Sequence, residues 1–275
     1  MFRRSIAWVF LSYDFGKVRC VVNCIILGDD IGLPVLMEIC KQLNLQVCAY
    51  SISRGKSLSI ETQQELVLMQ YLDDPNSSQT RKFMRERKIS LILVYSYNLI
   101  LSKDFLSENR VKYLNIHGGK LPEYRGANVI NWAIINGEKE IGVSIHEIIM
   151  EVDAGAVIAQ WNVNIDDNDN ARTMRDKLGL SIVSQAPPLI SKYLNGELQA
   201  SAQNEEKKRV WKRRTPEDGI FEWHWKDVEI YNMIRALVKP WPGARYFDRG
   251  GKLIVIDEMI GIDQIQKMRK DFSEV

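Results

Sequence analysis

The chain has 275 residues, of which 45% are hydrophobic and 26% charged, an ordinary globular composition that argues against disorder. Its 37 basic and 35 acidic residues leave a net charge of +2, which gives no support for whole-surface nucleic-acid binding. No apolar run reaches the roughly 18 residues of a membrane span, so no membrane partner is expected.

The four cysteines, Cys20, Cys24, Cys40 and Cys48, form no C-x-x-C pair and none lies further along. They read as reduced, mostly buried thiols of a cytoplasmic protein. All three histidines (His117, His146, His224) lie far downstream, so no metal site is expected. The start, Met1 to Leu11, has a short apolar stretch closely followed by Asp14 and Lys17 and no small-residue cleavage site. It reads as an irregular extension or an upstream start rather than a signal peptide.

The β-branched run Cys20–Leu27 predicts a buried strand entering the turn Gly28–Gly32. A helix is predicted from Leu33 to Leu43, a second strand from Leu45 to Ser51, a charged helix from Thr80 to Lys88 and a third strand from Leu91 to Tyr95. Residues 52–77 are polar and carry no clear period. Strands alternating with helices predict a parallel, doubly wound α/β sheet. No G-x-G-x-x-G follows the first strand and no G-x-x-x-x-G-K-[ST] occurs, which excludes a dinucleotide fingerprint and a P-loop.

Further strands are predicted at Val111–Ile116, Ile141–Ile148 and Ala156–Ile165, with a short helix at Asn128–Ile135. Thr173–Leu194 predicts a long amphipathic helix that Pro187-Pro188 should kink or split, ended at Asn195-Gly196. From Gln199 the composition changes to a charged linker, Glu205–Arg209 and Lys212–Arg214. A helix pattern, the turn Lys239–Gly243 and two short strands follow. The chain thus divides into a Rossmann-like domain, 1–200, and a small C-terminal subdomain of α+β or OB-like form, 201–275.

Asn115 and His117 end a predicted strand. A period of two puts both side chains on one face, at the carboxyl edge where open α/β sheets hold ligands. Gly118 and Gly119 remove side-chain bulk just beyond and let a ligand approach the backbone. Asp153 lies in a loop between two strands, followed by Ala154 and Gly155. An imidazole for protons, a carboxylate to tune it and an amide N–H for an oxyanion are the parts of an acyl-transfer centre. A structural histidine with a neighbouring amide is the competing explanation.

The pattern N-x-H-x-x-x-L-P-x-x-R-G at 115–126, a Gly-Val-Ser-Ile-His146 strand and the run Asp153–Gln160 together resemble the folate-dependent formyltransferase family. The C-terminal segments Arg213–Gly219, Glu222-Trp-His224, Tyr231–Ala236 and Pro240–Ala244 are similar to the sugar-nucleotide N-formyltransferases within it, the arabinose-type enzyme above all. The likeness runs from about residue 18 to 255. It implies N10-formyltetrahydrofolate as donor without a metal, the amine of a dTDP- or UDP-linked amino sugar as acceptor, a role in lipopolysaccharide or O-antigen synthesis, and a homodimer. Methionyl-tRNA formyltransferase is the alternative, disfavoured by the charge and the short C-terminal region.

Carried over residue by residue, Asn115, His117 and Asp153 match the catalytic trio. Leu99, Ile100 and Leu101, with Ile149, Met150, Glu151, Val152 and Asp153, match the segments bordering the folate, although core packing explains 99–101 equally. Gly118, Gly119, Lys120 and Arg125 are substrate-side candidates. Lys120 departs from the leucine of many relatives and is otherwise a surface charge; Arg125 either orders its loop or binds an anion. Ala127 stands where the arabinose-type enzyme has an arginine. Arg213 and Arg214 either contact a phosphate or are solvated. Trp223, Trp225, Trp241 and Tyr231 either stack on a base or fill the core. His146 reads as a structural or substrate-edge residue and His224 as structural.

Overall fold

The computed structural model describes residues 22–273. The expectations for the first seventeen residues and for Cys20 lie outside them. Seven strands form one sheet: β1 (Asn23–Gly28), β2 (Gln46–Ile52), β3 (Gln70–Tyr71), β4 (Leu91–Tyr95), β5 (Lys112–His117), β7 (Glu140–Glu147) and β8 (Val157–Asn164). Strand β6 (Arg125–Gly126) stands apart from it. The sheet order is β3-β2-β1-β4-β5-β7-β8.

The first five strands of that order run parallel, β7 runs antiparallel to β5, and β8 antiparallel to β7. The sheet is therefore parallel over its first five strands and mixed as a whole. The short connection between β7 and β8 carries no crossover helix, so the chain can only return antiparallel. The direction of winding reverses between β1 and β4, the switch point at which such sheets open a crevice.

Alternation along the strands separates two apolar layers. Cys24 and Ile26 of β1 and Leu91, Leu93 and Tyr95 of β4 face the larger one. There they meet α1 (Gly32–Gln42), through Leu33 and Leu36, and α5 (Ala171–Leu194), through Met174 and Leu178. Ile25, Leu27, Ile92 and Val94 face the other layer, with Phe105, Leu101 and Tyr113. Cys24 and Cys40 are buried and Cys48 partly so, all as free thiols.

The polar stretch 52–77 contains the short helix α2 (Ile60–Leu66) as well as β3. Helix α3 spans Ser78–Glu86 and α4 Val129–Ile135. Helix α5 runs through Pro187 and Pro188 without a break. Two missing N–H donors cost several kcal/mol in an isolated helix. Here the buried stripe Leu178, Ile182, Ala186 and Ile190 holds both halves against the sheet.

The charged linker packs onto the sheet domain. Its strand β9 (Val210–Trp211) pairs in parallel with β6, and the Trp211 ring stacks on Tyr124, 5.4 Å between centroids. Beyond it α6 (Asp227–Ala236), the hairpin β10 (Ala244–Phe247) and β11 (Leu253–Ile256), and α7 (Ile262–Ser273) give the C-terminal part an α+β form rather than a barrel. Ile230, Ile234, Leu237 and Ala244 join the same apolar layer as α1 and α5.

Candidate active site

A cavity of about 670 Å³ opens where β1, β4 and β5 end. Asn115 and His117 share the face of β5 that carries Tyr113, while Leu114 and Ile116 point into the opposite layer. His117 is buried, and its Nε2 lies 2.5 Å from the carbonyl oxygen of Tyr124. A carbonyl only accepts, so Nε2 carries the proton. Nδ1 faces Asp153 Oδ2 at 3.7 Å and is the ring nitrogen left to exchange a proton.

His146 stands directly opposite Asn115 in the antiparallel register of β5 and β7. Its Nδ1 lies 2.7 Å from the Glu147 carbonyl and therefore donates there. In the neutral ring its Nε2 then accepts from the Asn115 amide nitrogen, 3.1 Å away. The same amide nitrogen lies 3.4 Å from Asp153 Oδ1. Sequence reasoning gave His146 a structural or edge role; the fold puts it in the centre of the cluster.

Asp153 reaches the histidines from the β7–β8 loop with a left-handed backbone, φ +54°. Glycine follows two residues later because a Cβ at Gly155 would lie 1.8 Å from the Glu147 carbonyl oxygen. The Gly126 N–H donates to Asp153 Oδ2 at 2.9 Å. Burial alone would raise the Asp153 pKa. In their protonated forms the His117 and His146 rings, together with the Gly126 N–H, outweigh it and hold the carboxyl well below the usual carboxylate range. The cluster is thus a carboxylate between two imidazoles, with an amide beside it.

Of the segments matched to folate, Leu99, Ile100, Leu101, Ile149, Met150, Val152 and Asp153 line the cavity. Leu101 also packs into the core, whereas Ile100, Ile149, Met150 and Val152 are 66%, 48%, 53% and 52% exposed. Exposed apolar side chains from two facing loops make a slot that suits a flat heteroaromatic ring. Glu151 turns away to Lys208 and Arg125.

The substrate-side candidates separate. Gly118 lines the cavity. Gly119 is not a point of ligand approach: a Cβ there would lie 2.7 Å from His117 Nε2, so its bareness makes room for the imidazole. Lys120 lies outside this cavity, in a polar cleft with Glu138, Glu140 and Arg209. Arg125 is fully buried and also outside it. Its guanidinium donates to Gln203 Oε1 at 2.8 and 3.0 Å and to Glu205 Oε1 at 2.5 Å. Gln203 in turn donates to the carbonyls of Asp153 and Gly155, at 2.8 and 2.7 Å. Arg125 therefore orders the loop, the first of its two sequence readings.

Arg213, Trp211 and Trp241 line the cavity, and so do Asp29, Lys56 and Arg175, which sequence reasoning passed over. Arg214 is half-buried over the Trp132 ring, 4.4 Å to its centroid. Trp223, Trp225 and Tyr231 pack against the core. His224 is exposed beside Glu222 at 3.0 Å. No group of three or more His, Cys, Asp or Glu side chains placed to hold a metal ion occurs among the described residues.

Comparison with known proteins agrees with this architecture. Residues 66–181 match the formyl transferase family and residues 213–270 the formyl transferase C-terminal domain. The chain belongs to the formyltransferase family. It is 31% identical over 259 residues to the bifunctional polymyxin resistance protein ArnA of Wigglesworthia glossinidia brevipalpis, a match that covers 93% of this chain but 38% of that protein. Its fold is similar to that of a 4-N formyltransferase from Francisella tularensis, with TM-score 0.68 and 18% identity over 87% of this chain and 98% of that one. It is likewise similar to an N-formyltransferase from Helicobacter canadensis solved with folinic acid and dTDP-3-aminofucose, with TM-score 0.60 and 18% identity over 80% of this chain and 82% of that one.

Proposed function

We propose that the chain transfers a formyl group from N10-formyltetrahydrofolate to the amino group of a nucleotide-linked amino sugar. The observation that carries this reading is the Asn115–His117–Asp153–His146 cluster at the strand ends, flanked by the apolar slot of residues 99–101 and 149–152. The Helicobacter relative was solved with a reduced folate and a dTDP-amino sugar, which supports the same pairing of ligands here.

Bound in the slot, N10-formyltetrahydrofolate supplies the formyl carbon. Around that carbon the chain provides three functions. Asn115 presents an N–H that Asp153 holds only at 3.4 Å and that can turn to the charge developing on the formyl oxygen. His117, fixed through Nε2 by the Tyr124 carbonyl, exchanges a proton through Nδ1 with the attacking amine or the departing nitrogen. Asp153 supplies the counter-charge for the imidazolium and fixes the direction of its ring.

The reading extends to lipopolysaccharide or O-antigen synthesis, to a cytoplasmic location and to a homodimer. Among the described residues no helix is long and apolar enough to cross a membrane. The transfer is tested by incubating dTDP- and UDP-linked 3- and 4-amino sugars with formyl donor and following the gain of a formyl group by mass spectrometry. Every sugar returned unmodified would overturn the acceptor class, and a formylated initiator methionyl-tRNA in the same assay would replace it. Light scattering reads the assembly state, and a pure monomer would contradict the dimer.

A further inference from the structure

We infer that Arg175, held in place by Asp29 and joined by Lys56, is the cation site that grips the diphosphate of the acceptor; the inference rests on the function proposed above.

Arg175 sits in the second turn of α5, next to the fully buried Met174, and its guanidinium lines the cavity. One nitrogen, Nη2, donates to Asp29 Oδ2 at 3.2 Å. No other partner holds the guanidinium among the described residues, so most of its five N–H groups are free for a ligand. Asp29 is committed elsewhere. Its Oδ1 accepts the Ile31 and Gly32 N–H groups at 3.0 and 2.9 Å, and its Oδ2 accepts the Ser96 hydroxyl at 2.8 Å. A carboxylate with four donors acts as a rigid anchor that orients the arginine fork. Planar forks of this kind suit phosphate oxygens.

The charge around Arg175 is unbalanced. Among the described residues three cations line the cavity, Lys56, Arg175 and Arg213, against two carboxylates, Asp29 and Asp153. Asp153 is already faced by two imidazoles. Lys56 is exposed, and its ammonium makes no hydrogen bond or ion pair among the described residues. A cavity with this surplus draws an anion.

Two anions are available, the diphosphate of the acceptor and the carboxylates of the folate tail. The two layers of the sheet favour the diphosphate. The slot residue Leu101 and the neighbouring Ile148 belong to the Ile25–Leu27 face, the face that also carries Asn115 and His117. Helices α1 and α5 cover the opposite face, so Arg175 meets the cavity from the side away from the slot. A molecule that reaches Arg175 and presents an amine at His117 crosses the strand ends between β1 and β5. A donor seated in the slot has no need to make that crossing.

The test is calorimetric titration of the full chain with UDP, with dTDP and separately with folinic acid. Arg175→Gln is expected to weaken nucleotide binding at least tenfold and to leave folinic acid within twofold; Lys56→Gln acts in the same direction by about threefold. Folinic acid weakened in place of the nucleotide would assign the cations to the folate tail and overturn the proposal. Unchanged nucleotide affinity in both variants would leave Arg175 as no more than a tie to Asp29. Should Arg175→Gln unfold early, the exposed Lys56→Gln decides alone, and undiminished nucleotide affinity there is the overturning result. A wild-type chain that binds neither nucleotide sinks the acceptor reading itself, whereas wild-type binding that both variants keep sinks only this assignment.

Discussion

The amide nitrogen of Asn115 lies 3.1 Å from Nε2 of His146, across the one register position at which β5 and β7 bring them face to face. That bond decides which way the amide points. Its other N–H is left toward Asp153 and the cavity, where an oxyanion would form. Asn115→Ala should lower kcat by about a hundredfold, the usual loss of one such donor. His146→Gln should cost about tenfold in kcat while both KM values stay within twofold, because only the orientation is affected. Steady-state kinetics separates the two outcomes, and an unchanged kcat in His146→Gln would show that the amide is oriented by Asp153 alone.

Asp153 carries the electrostatics of the site, and its depressed pKa fixes a sign. A carboxyl whose folded pKa lies below its unfolded value of about 4 stabilises the fold above that value. The contribution is lost as pH falls through 4 toward the lower folded value. Thermal unfolding of wild type and Asp153→Asn should therefore show its full gap near pH 5. The gap should narrow below about pH 4. At neutral pH the same substitution should reduce kcat/KM by at least a hundredfold, since the imidazolium of His117 loses its counter-charge. A gap that widens in acid would contradict the assignment.

Gly155 has no room for a side chain, with the Glu147 carbonyl 1.8 Å from where a Cβ would stand. Gly155→Ala must shift the β7–β8 loop. Overpacking of this kind costs roughly 2 kcal/mol, or about 4–8 °C in melting temperature. The loop also carries Asp153, so kcat should fall more than stability alone explains. Differential scanning fluorimetry and single-turnover rates on the same sample would read both, and a stable variant with full activity would argue against the tight loop.

Ile100 is 66% exposed beside the slot. Ile100→Asp should raise the KM for the formyl donor at least tenfold and leave the acceptor KM within twofold. A charge there would have to be buried against a flat apolar ligand. Equal effects on both KM values would mean that the two ligands share this wall.

Much of the sheet was legible in the sequence, because strands such as β1 and β4 are apolar runs closed by turn residues. The shared face of Asn115 and His117 followed from the two-residue period alone. Three features were not legible. His146 joins the cluster through the pairing register of two strands, which no local pattern encodes. Arg175 lies near residue 29 only because α5 packs on α1. The apparently solvated linker is bound to the sheet domain by Gln203 and Trp211, and a run of charges looks the same in sequence whether or not it is tied down. Arg125 illustrates the same limit from the other side: its motif marked it as important, but only its burial distinguishes an internal tie from an anion ligand.

The Gln203 contact with the backbone of Asp153 has a practical corollary for dissecting the protein. A truncation that stops at residue 200 would retain every strand of the main sheet and all of Asn115, His117, His146 and Asp153. It would nonetheless leave the Arg125 guanidinium buried without its amide and carboxylate from the linker, and the turn bearing the acidic group would be unbraced. Such a shortened form should be soluble only with difficulty and nearly inert, and restoring the stretch from 203 to 211 should bring back the brace on the Asp153 turn.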